Sequence, residues 1–128
     1  MLPSSKKIQV YKKIPMLKVT SKEQGALVVA DVLEIIGGKW RGLILAKLCD
    51  GSKRFNELKL DLKNITSSTL TKELRHLEDL KMIERVVIQE SPIAVEYRMT
   101  DHGASIKQLI YQIIEWGLEH RKKVIGEQ

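Results

Sequence analysis

The sequence predicts a mainly α-helical domain with a small β-hairpin, an α+β arrangement in which helices dominate. Three observations predict it. Apolar residues recur at helical spacing between residue 21 and about residue 125. Among them, the run NITSSTLTKELRHLEDL from Asn64 to Leu80 divides into an apolar and a polar face. Directly after it, Met82 to Gln89 is rich in β-branched residues and Val95–Met99 alternates strictly.

A chain of 128 residues is long enough for one domain and one core. Its 43% apolar and 30% charged residues are those of an ordinary globular protein. The net charge of +6 favours acidic partners, nucleic acid first. Six lysines and no acid lie between Met1 and Lys22, a charge equal to the whole excess. Residues 1–20 therefore read as a basic N-terminal arm, followed by a domain over residues 21–126. DNA phosphate, an acidic partner and solvent are all open to that arm. It is expected outside the core, packed across a dimer or disordered, with a short strand at Lys7–Tyr11.

Cys49 is alone, which excludes a disulfide framework and a cysteine metal cage. No apolar run approaches the roughly 18 residues that span a bilayer, and the N-terminus lacks the apolar region of a signal peptide. The chain reads as cytoplasmic, with no membrane partner.

In chain order, Ser21-Lys22-Glu23-Gln24 has capping-box spacing and opens a first helix. Leu27, Ala30, Val32, Leu33 and Ile36 form its apolar side, and Gly37-Gly38 ends it. Trp40 to Leu48 is a second helix, stopped near Asp50-Gly51, with Trp40 as a core anchor. Lys53-Arg54-Phe55 is a candidate short strand. Asn56 can cap a helix from Glu57 to Leu62 that buries Phe55, Leu58 and Leu62.

Lys63-Asn64 turns into the two-faced stretch. There Leu70, Leu74 and Leu77 form the buried stripe, while Ser68, Lys72, Arg75 and Asp79 point outward. Thr66 or Ser67 can cap the first turn. Two short helices joined by such a turn read as helix-turn-helix. A small polar N-terminus and a basic middle suit a helix that enters the major groove of DNA.

The two strands, joined at Glu90-Ser91-Pro92-Ile93-Ala94, make a hairpin with Val95, Tyr97 and Met99 inward. Helix-turn-helix followed by a hairpin is the winged arrangement. Thr100 caps a last helix from Asp101 to about Ile125. Ile106, Leu109, Ile110, Ile113, Ile114, Trp116 and Leu118 cover half its circumference or more. A helix facing only its own core needs a stripe of about 100°. The surplus predicts a homodimer, with Ile106, Leu109, Ile110, Ile113 and Trp116 at its seam.

Ile36-Gly37-Gly38-Lys39-Trp40, Leu43-Ile44-Leu45, Asp50-Gly51, Arg54-Phe55-Asn56-Glu57-Leu58, Leu70-Thr71, Leu74-Arg75, Leu77-Glu78, Val95-Glu96-Tyr97 and Thr100-Asp101-His102-Gly103 follow one another in order. Together they resemble the HxlR-type winged-helix transcription regulators over about residues 26–120. The resemblance implies a dimeric DNA-binding regulator of bacterial or archaeal origin. It also implies a recognition helix at about Ser67–Leu80 and dimerisation through the terminal helices. Two departures stand out. Where many relatives carry a redox-sensing cysteine, this chain reads Gly25-Ala26-Leu27-Val28-Val29, so thiol sensing by that route is not expected. Where many carry a basic wing tip, it has Ile93-Ala94.

Lys72 and Arg75 are the first candidates for groove contact, because Arg can donate two bonds to guanine and Lys neutralises phosphate. Pairing with Glu78 and Asp79 along the helix is the competing reading. Ser67, Ser68 and Thr71 are short enough to let the helix come close. Lys53, Arg54, Arg85 and Arg98 are expected to flank the same surface as phosphate contacts. His76, His102 and His120 lie on different elements, with no metal-ligand spacing, and Cys49 reads as a small buried side chain.

There is no phosphate-cradling glycine loop, nucleophile motif or HExxH, so neither an enzyme nor a cofactor is expected. The function expected is sequence-specific regulation of transcription at a pseudo-palindromic operator. The alternative is a winged-helix interaction module that does not bind DNA. The sequence names no small-molecule effector. A cavity between the first and terminal helices is the place that could hold one.

Overall fold

The computed structural model describes residues 21–126. The lysine-rich arm and the strand expected at Lys7–Tyr11 lie outside the described residues. Ser21 opens α1 (Lys22–Ile36), its hydroxyl accepting the Gln24 N–H at 3.3 Å. Gly37 ends it, donating its N–H to the Leu33 carbonyl at 2.7 Å. A Cβ at Gly37 would run into that same carbonyl, so the helix must stop at a glycine. Then come α2 (Arg41–Leu48), α3 (Phe55–Leu62), α4 (Ser67–Asp79), β1 (Ile83–Glu90), β2 (Ile93–Met99), α5 (Asp101–Ala104) and α6 (Lys107–Ile125). Helix-turn-helix followed by hairpin is the winged arrangement that the sequence predicts.

The core gathers Ile44, Leu45 and Leu48 of α2, Leu58 and Leu62 of α3, and Leu70, Leu74 and Leu77 of α4. Ile65, Met82, Ile83, Ile106 and Ile110 close it, and Trp40, Phe55, Tyr97 and Met99 pack on its edge. From α1 only Ile35 and Ile36 reach this core. Leu27, Ala30 and Leu33, expected to face inward, are exposed in the single chain.

Three boundaries differ from expectation. α3 starts at Phe55 rather than after Asn56, because the Glu57 carboxylate accepts the Arg54 N–H at 3.0 Å and closes the first turn one residue earlier. Lys53 alone of the expected strand pairs, exchanging backbone hydrogen bonds of 2.9 and 2.8 Å with Tyr97 at the base of the wing. The hairpin joint narrows to Ser91-Pro92, and Ile93 and Ala94 belong to β2, paired with Glu90 and Gln89 across a bulge.

The terminal helix is not continuous from Asp101. Ser105 and Ile106 bond back to His102 and Gly103 in tighter i→i+3 turns, and the Ser105 hydroxyl also donates to the His102 carbonyl. The break turns Ile106 and Ile110 into the core, with 9% and 6% of their surface exposed. Two of the residues expected at a dimer seam are thus committed to the chain's own interior. Leu109, Ile113 and Trp116 remain outside.

Thr100 ties the wing to the end of α4. Its hydroxyl donates to the Lys81 carbonyl at 2.6 Å and accepts the Gly103 N–H at 2.9 Å, and its own N–H donates to the Met82 carbonyl at 3.1 Å. Gly103 lies against the Met82 backbone, where any Cβ would overlap the carbonyl. Gly103→Ala should therefore destabilise the fold by about 1–3 kcal/mol, the usual range for overpacking. Thermal melts should show it as a loss of several degrees.

Cys49 is half-buried against the core rather than fully enclosed. Burial pushes its thiol pKa up, with Lys107 opposing and Asp50 adding to the rise. The reactive thiolate is therefore scarcer at neutral pH than in a free cysteine. Alkylation in the folded protein should be slower than in urea and should accelerate as pH rises. Diamide should leave the melting temperature unchanged; a loss that Cys49→Ser abolishes would contradict this assignment.

Candidate nucleic-acid interface

The interface is built on the face of α4 that its leucines leave outside. Thr66, the N-cap, accepts the Thr69 N–H at 3.1 Å and donates its hydroxyl hydrogen to the Thr69 hydroxyl at 2.9 Å. Of the two caps open to the sequence, Thr66 is the one used. Just before it the chain reverses through Lys63 and Asn64, at φ 39° and 61°. Asn is among the residues that best tolerate that region. Ile65 then buries itself between the two helices of the motif, with 5% of its surface exposed.

Leu70, Leu74 and Leu77 are fully buried, so which face of α4 looks outward is set. Ser67, Ser68, Thr71, Lys72 and Arg75 are all exposed. At 3.6 residues per turn they fall within about 140° of one another, with Arg75 near the middle. Among the described residues neither Lys72 nor Arg75 has an ion pair within 4.0 Å. Pairing with Glu78 and Asp79 is therefore not what holds them. Glu78 is half-buried; desolvation pushes its carboxyl pKa up, Arg85 opposes this, Asp79 adds to it and Arg75 opposes it. The N-terminus of α4 also presents backbone N–H groups at the positive end of its dipole.

The four outlying cations do not flank one surface. Arg85 pairs with Tyr97 and Arg98 with Glu84, and neighbouring strand residues point to opposite faces. Arg85 lies on the Tyr97 side, whereas Arg98 lies on the other, held to the Glu84 carboxylate at 2.6 Å. Lys53 is half-buried at the wing base, and Arg54 is exposed beside it. The wing tip holds no cation: Ile93 is 73% exposed, next to Glu90 and the exposed Val87 and Ile88. Residues overlooked in the sequence are Lys59 and Lys63, which with Asn56 and Asn64 line a groove beside the turn. Their helical spacing of i, i+4 next to the motif was the available signal.

One flank of α4 carries a polar cluster that sequence patterning does not reveal. Arg41 donates from Nε to Glu73 Oε2 at 2.9 Å and from Nη1 to the Glu34 carbonyl at 2.8 Å. His76 Nε2 stands 3.4 Å from Glu34 Oε1, with only 6% of the residue exposed. These partners are 32 residues apart for Arg41 and Glu73, beyond any local spacing rule. Among the described residues no group of His, Cys, Asp and Glu could hold a metal ion. No described helix is long and apolar enough to cross a membrane.

The profile of the HxlR-like helix-turn-helix family matches residues 35–124, from the end of α1 through nearly all of α6. The chain is 39% identical to the HTH-type transcriptional regulator YtcD of Bacillus subtilis over 106 residues, covering 83% of this chain and 84% of that one. A redox regulator, HypR, in its reduced form superposes with a TM-score of 0.72 at 36% identity, over 77% of this chain and 98% of that one. A MarR-family transcriptional regulator of Enterococcus faecalis V583 superposes with a TM-score of 0.69 at 30% identity, over 84% of this chain and 96% of that one. A winged helix with an open polar face on its second motif helix, in a chain that matches this profile over most of its length, is a DNA-binding transcription regulator belonging to the HxlR-like helix-turn-helix family.

Proposed function

We propose that the protein regulates transcription as a homodimer on a pseudo-palindromic operator, with α4 of each protomer in the major groove. The observation that carries this is the exposed face of Ser67, Ser68, Thr71, Lys72 and Arg75, set directly against a fully buried leucine face. Arg75 is the base-reading side chain, and Lys72 neutralises phosphate. Lys53 and Arg54 at the wing base, with Arg85, add phosphate contacts. Arg98 contributes less, because Glu84 already neutralises it. A wing tip without cations leaves the electrostatic grip to α4, its flanking lysines and the basic arm of residues 1–20. The domain over 21–126 works in the cytoplasm, where bacterial or archaeal DNA is.

The dimer follows from what α1 and α6 leave uncovered. α1 has no buried residue, and Leu27, Val28, Val29 and Leu33 are exposed. On α6, Leu109, Ile113, Ile114, Leu118 and Trp116 are exposed, Trp116 at 69% and stacked on His120 with ring centroids 5.1 Å apart. Apolar surface this extensive on a monomer calls for a partner, and a second copy is the commonest one. A cleft of about 290 Å³ between α1, α2 and α6 opens on the same face, lined by Ile36, Leu43 and Ile113 among others. It is the place where a small-molecule effector would reach the seam.

Sedimentation equilibrium should show a dimer at micromolar concentration. Ile113→Glu with Leu118→Glu should give monomers that still fold, because neither side chain serves the core. Ile110 is unsuitable for this test, since a charge there enters the chain's own interior. A wild-type monomer would exclude both the dimer and the two-fold operator.

On DNA, Arg75→Ala should weaken specific binding by about 1–3 kcal/mol and relax preference at one base position. Lys72→Ala should weaken specific and random duplexes alike and lower the salt slope by about one unit per subunit. Melting temperatures should stay close to wild type. If both variants fold and bind as wild type does, α4 is not the reader, and the protein-interaction role replaces this one.

A further inference from the structure

We infer that Arg41, Glu73, Glu34 and His76 form a polar clamp that sets the rotation of α4 about its axis, so that Arg41 and Glu73 are positioning residues for sequence-specific DNA binding. The inference rests on α4 being the DNA-reading helix. The core face of α4 consists of leucines, and apolar contact is not directional. Leu70, Leu74 and Leu77 hold the helix in place but only loosely resist a small roll. Hydrogen-bonded charges do resist it, because they act over narrow ranges of distance and angle.

The clamp is built for that task. Arg41 is the first residue of α2, next to the turn that leaves α1. From there it reaches Glu73 in the middle of α4 and the Glu34 carbonyl in the last turn of α1. The carbonyl end of a helix attracts a cation, so the guanidinium is favoured at both contacts. One turn further along α4, His76 Nε2 approaches the carboxylate of that same Glu34 at 3.4 Å, a close polar contact rather than a hydrogen bond. Glu73 and His76 stand three residues apart on one flank, so α4 is tied to α2 and, through Arg41, to α1 at one point, and reaches α1 directly at the next.

Both side chains of the Arg41–Glu73 pair are mostly buried, at 18% and 15% exposure. Water therefore cannot readily replace either partner, and removing one strands the other. The reading face begins on the far flank, roughly 100° or more around the helix from Glu73. A roll of the helix carries the tip of Arg75 sideways along the groove floor. Recognition tolerates only about 0.5 Å and 10–20° of such error. α1 also carries the exposed apolar face, so whatever packs on α1 is coupled through Glu34 and Arg41 to the angle of α4.

The test uses a duplex selected by the full-length wild-type protein from a random-sequence pool, and a random duplex of equal length. The readout is the ratio of the two affinities, from which a change in net charge cancels, with melting temperature measured alongside. Arg41→Glu and Glu73→Arg should each lower that ratio about ten-fold. The double variant, with the charges exchanged, should recover part of the loss, since the Arg41 contact to the Glu34 carbonyl is not restored. At equal melting temperature, that recovery of the ratio is what a purely structural defect would not give. Glu73→Gln, nearly isosteric, carries the test if either single variant fails to fold, and it too should lower the ratio. An unchanged ratio in folded variants would overturn the clamp. So would specific and random affinities falling together in step with melting temperature, without recovery in the double variant. Failure of the underlying reading would look different: the wild-type protein would select no sequence, or Arg75→Ala and Lys72→Ala would leave the ratio untouched.

Discussion

Burial of Leu70, Leu74 and Leu77 is the constraint on which the rest of the structure depends. These side chains form the slab against which α2 and α3 pack through Ile44, Leu45, Leu48, Leu58 and Leu62. Burying one such leucine stabilises a fold by about 1.5–3 kcal/mol, so α4 cannot turn over without dismantling the core. Its polar face is outside for that reason alone. The proposed reading face and the core thus use the two sides of one helix, and Ser67, Ser68, Thr71, Lys72 and Arg75 can vary without cost to packing.

A leucine slab fixes which face looks outward but not the last few degrees of rotation. The polar contacts of Arg41 with Glu73 and the Glu34 carbonyl are the ones the inferred clamp assigns to that remaining freedom. They also explain how a polar cluster persists beside an apolar core. The Glu73 carboxylate and the Arg41 guanidinium are tolerated there because they bond one another and a helix-end carbonyl. α1, which contributes only Ile35 and Ile36 to the core, is also joined to α4 through these groups.

The wing follows a different logic from the helix. Its base is anchored, by the Thr100 bonds to the end of α4 and by the bridge from Lys53 to Tyr97. Its tip is apolar and flanked by acid, and Arg98 on its outer face is already paired with Glu84. The likeness to YtcD and HypR spans the fold as a whole. The electrostatics of this chain's wing are its own, read from its own residues.

The sequence by itself determined the order and kind of the main elements, because periodicity and capping are local. Leu70, Leu74 and Leu77 at helical spacing after Thr66, and Val95–Met99 alternating after a β-branched run, were enough to place the two-faced helix and the wing. The open face of α4 was legible for the same reason: one helix carries both the buried leucines and the exposed Lys72 and Arg75. Tertiary structure alone decided what depends on residues far apart in the chain. The break at Ser105-Ile106, which draws Ile106 and Ile110 inward, answers to the core they enter and to Met82 pressed against Gly103. Arg85 and Arg98 fall on opposite faces because strand register, not composition, assigns their sides. The meeting of Arg41 with Glu73, and of Glu34 with His76, is absent from any local pattern, since hydrophobic periodicity orients a helix toward a core and says nothing of which polar side chains the packed elements bring together.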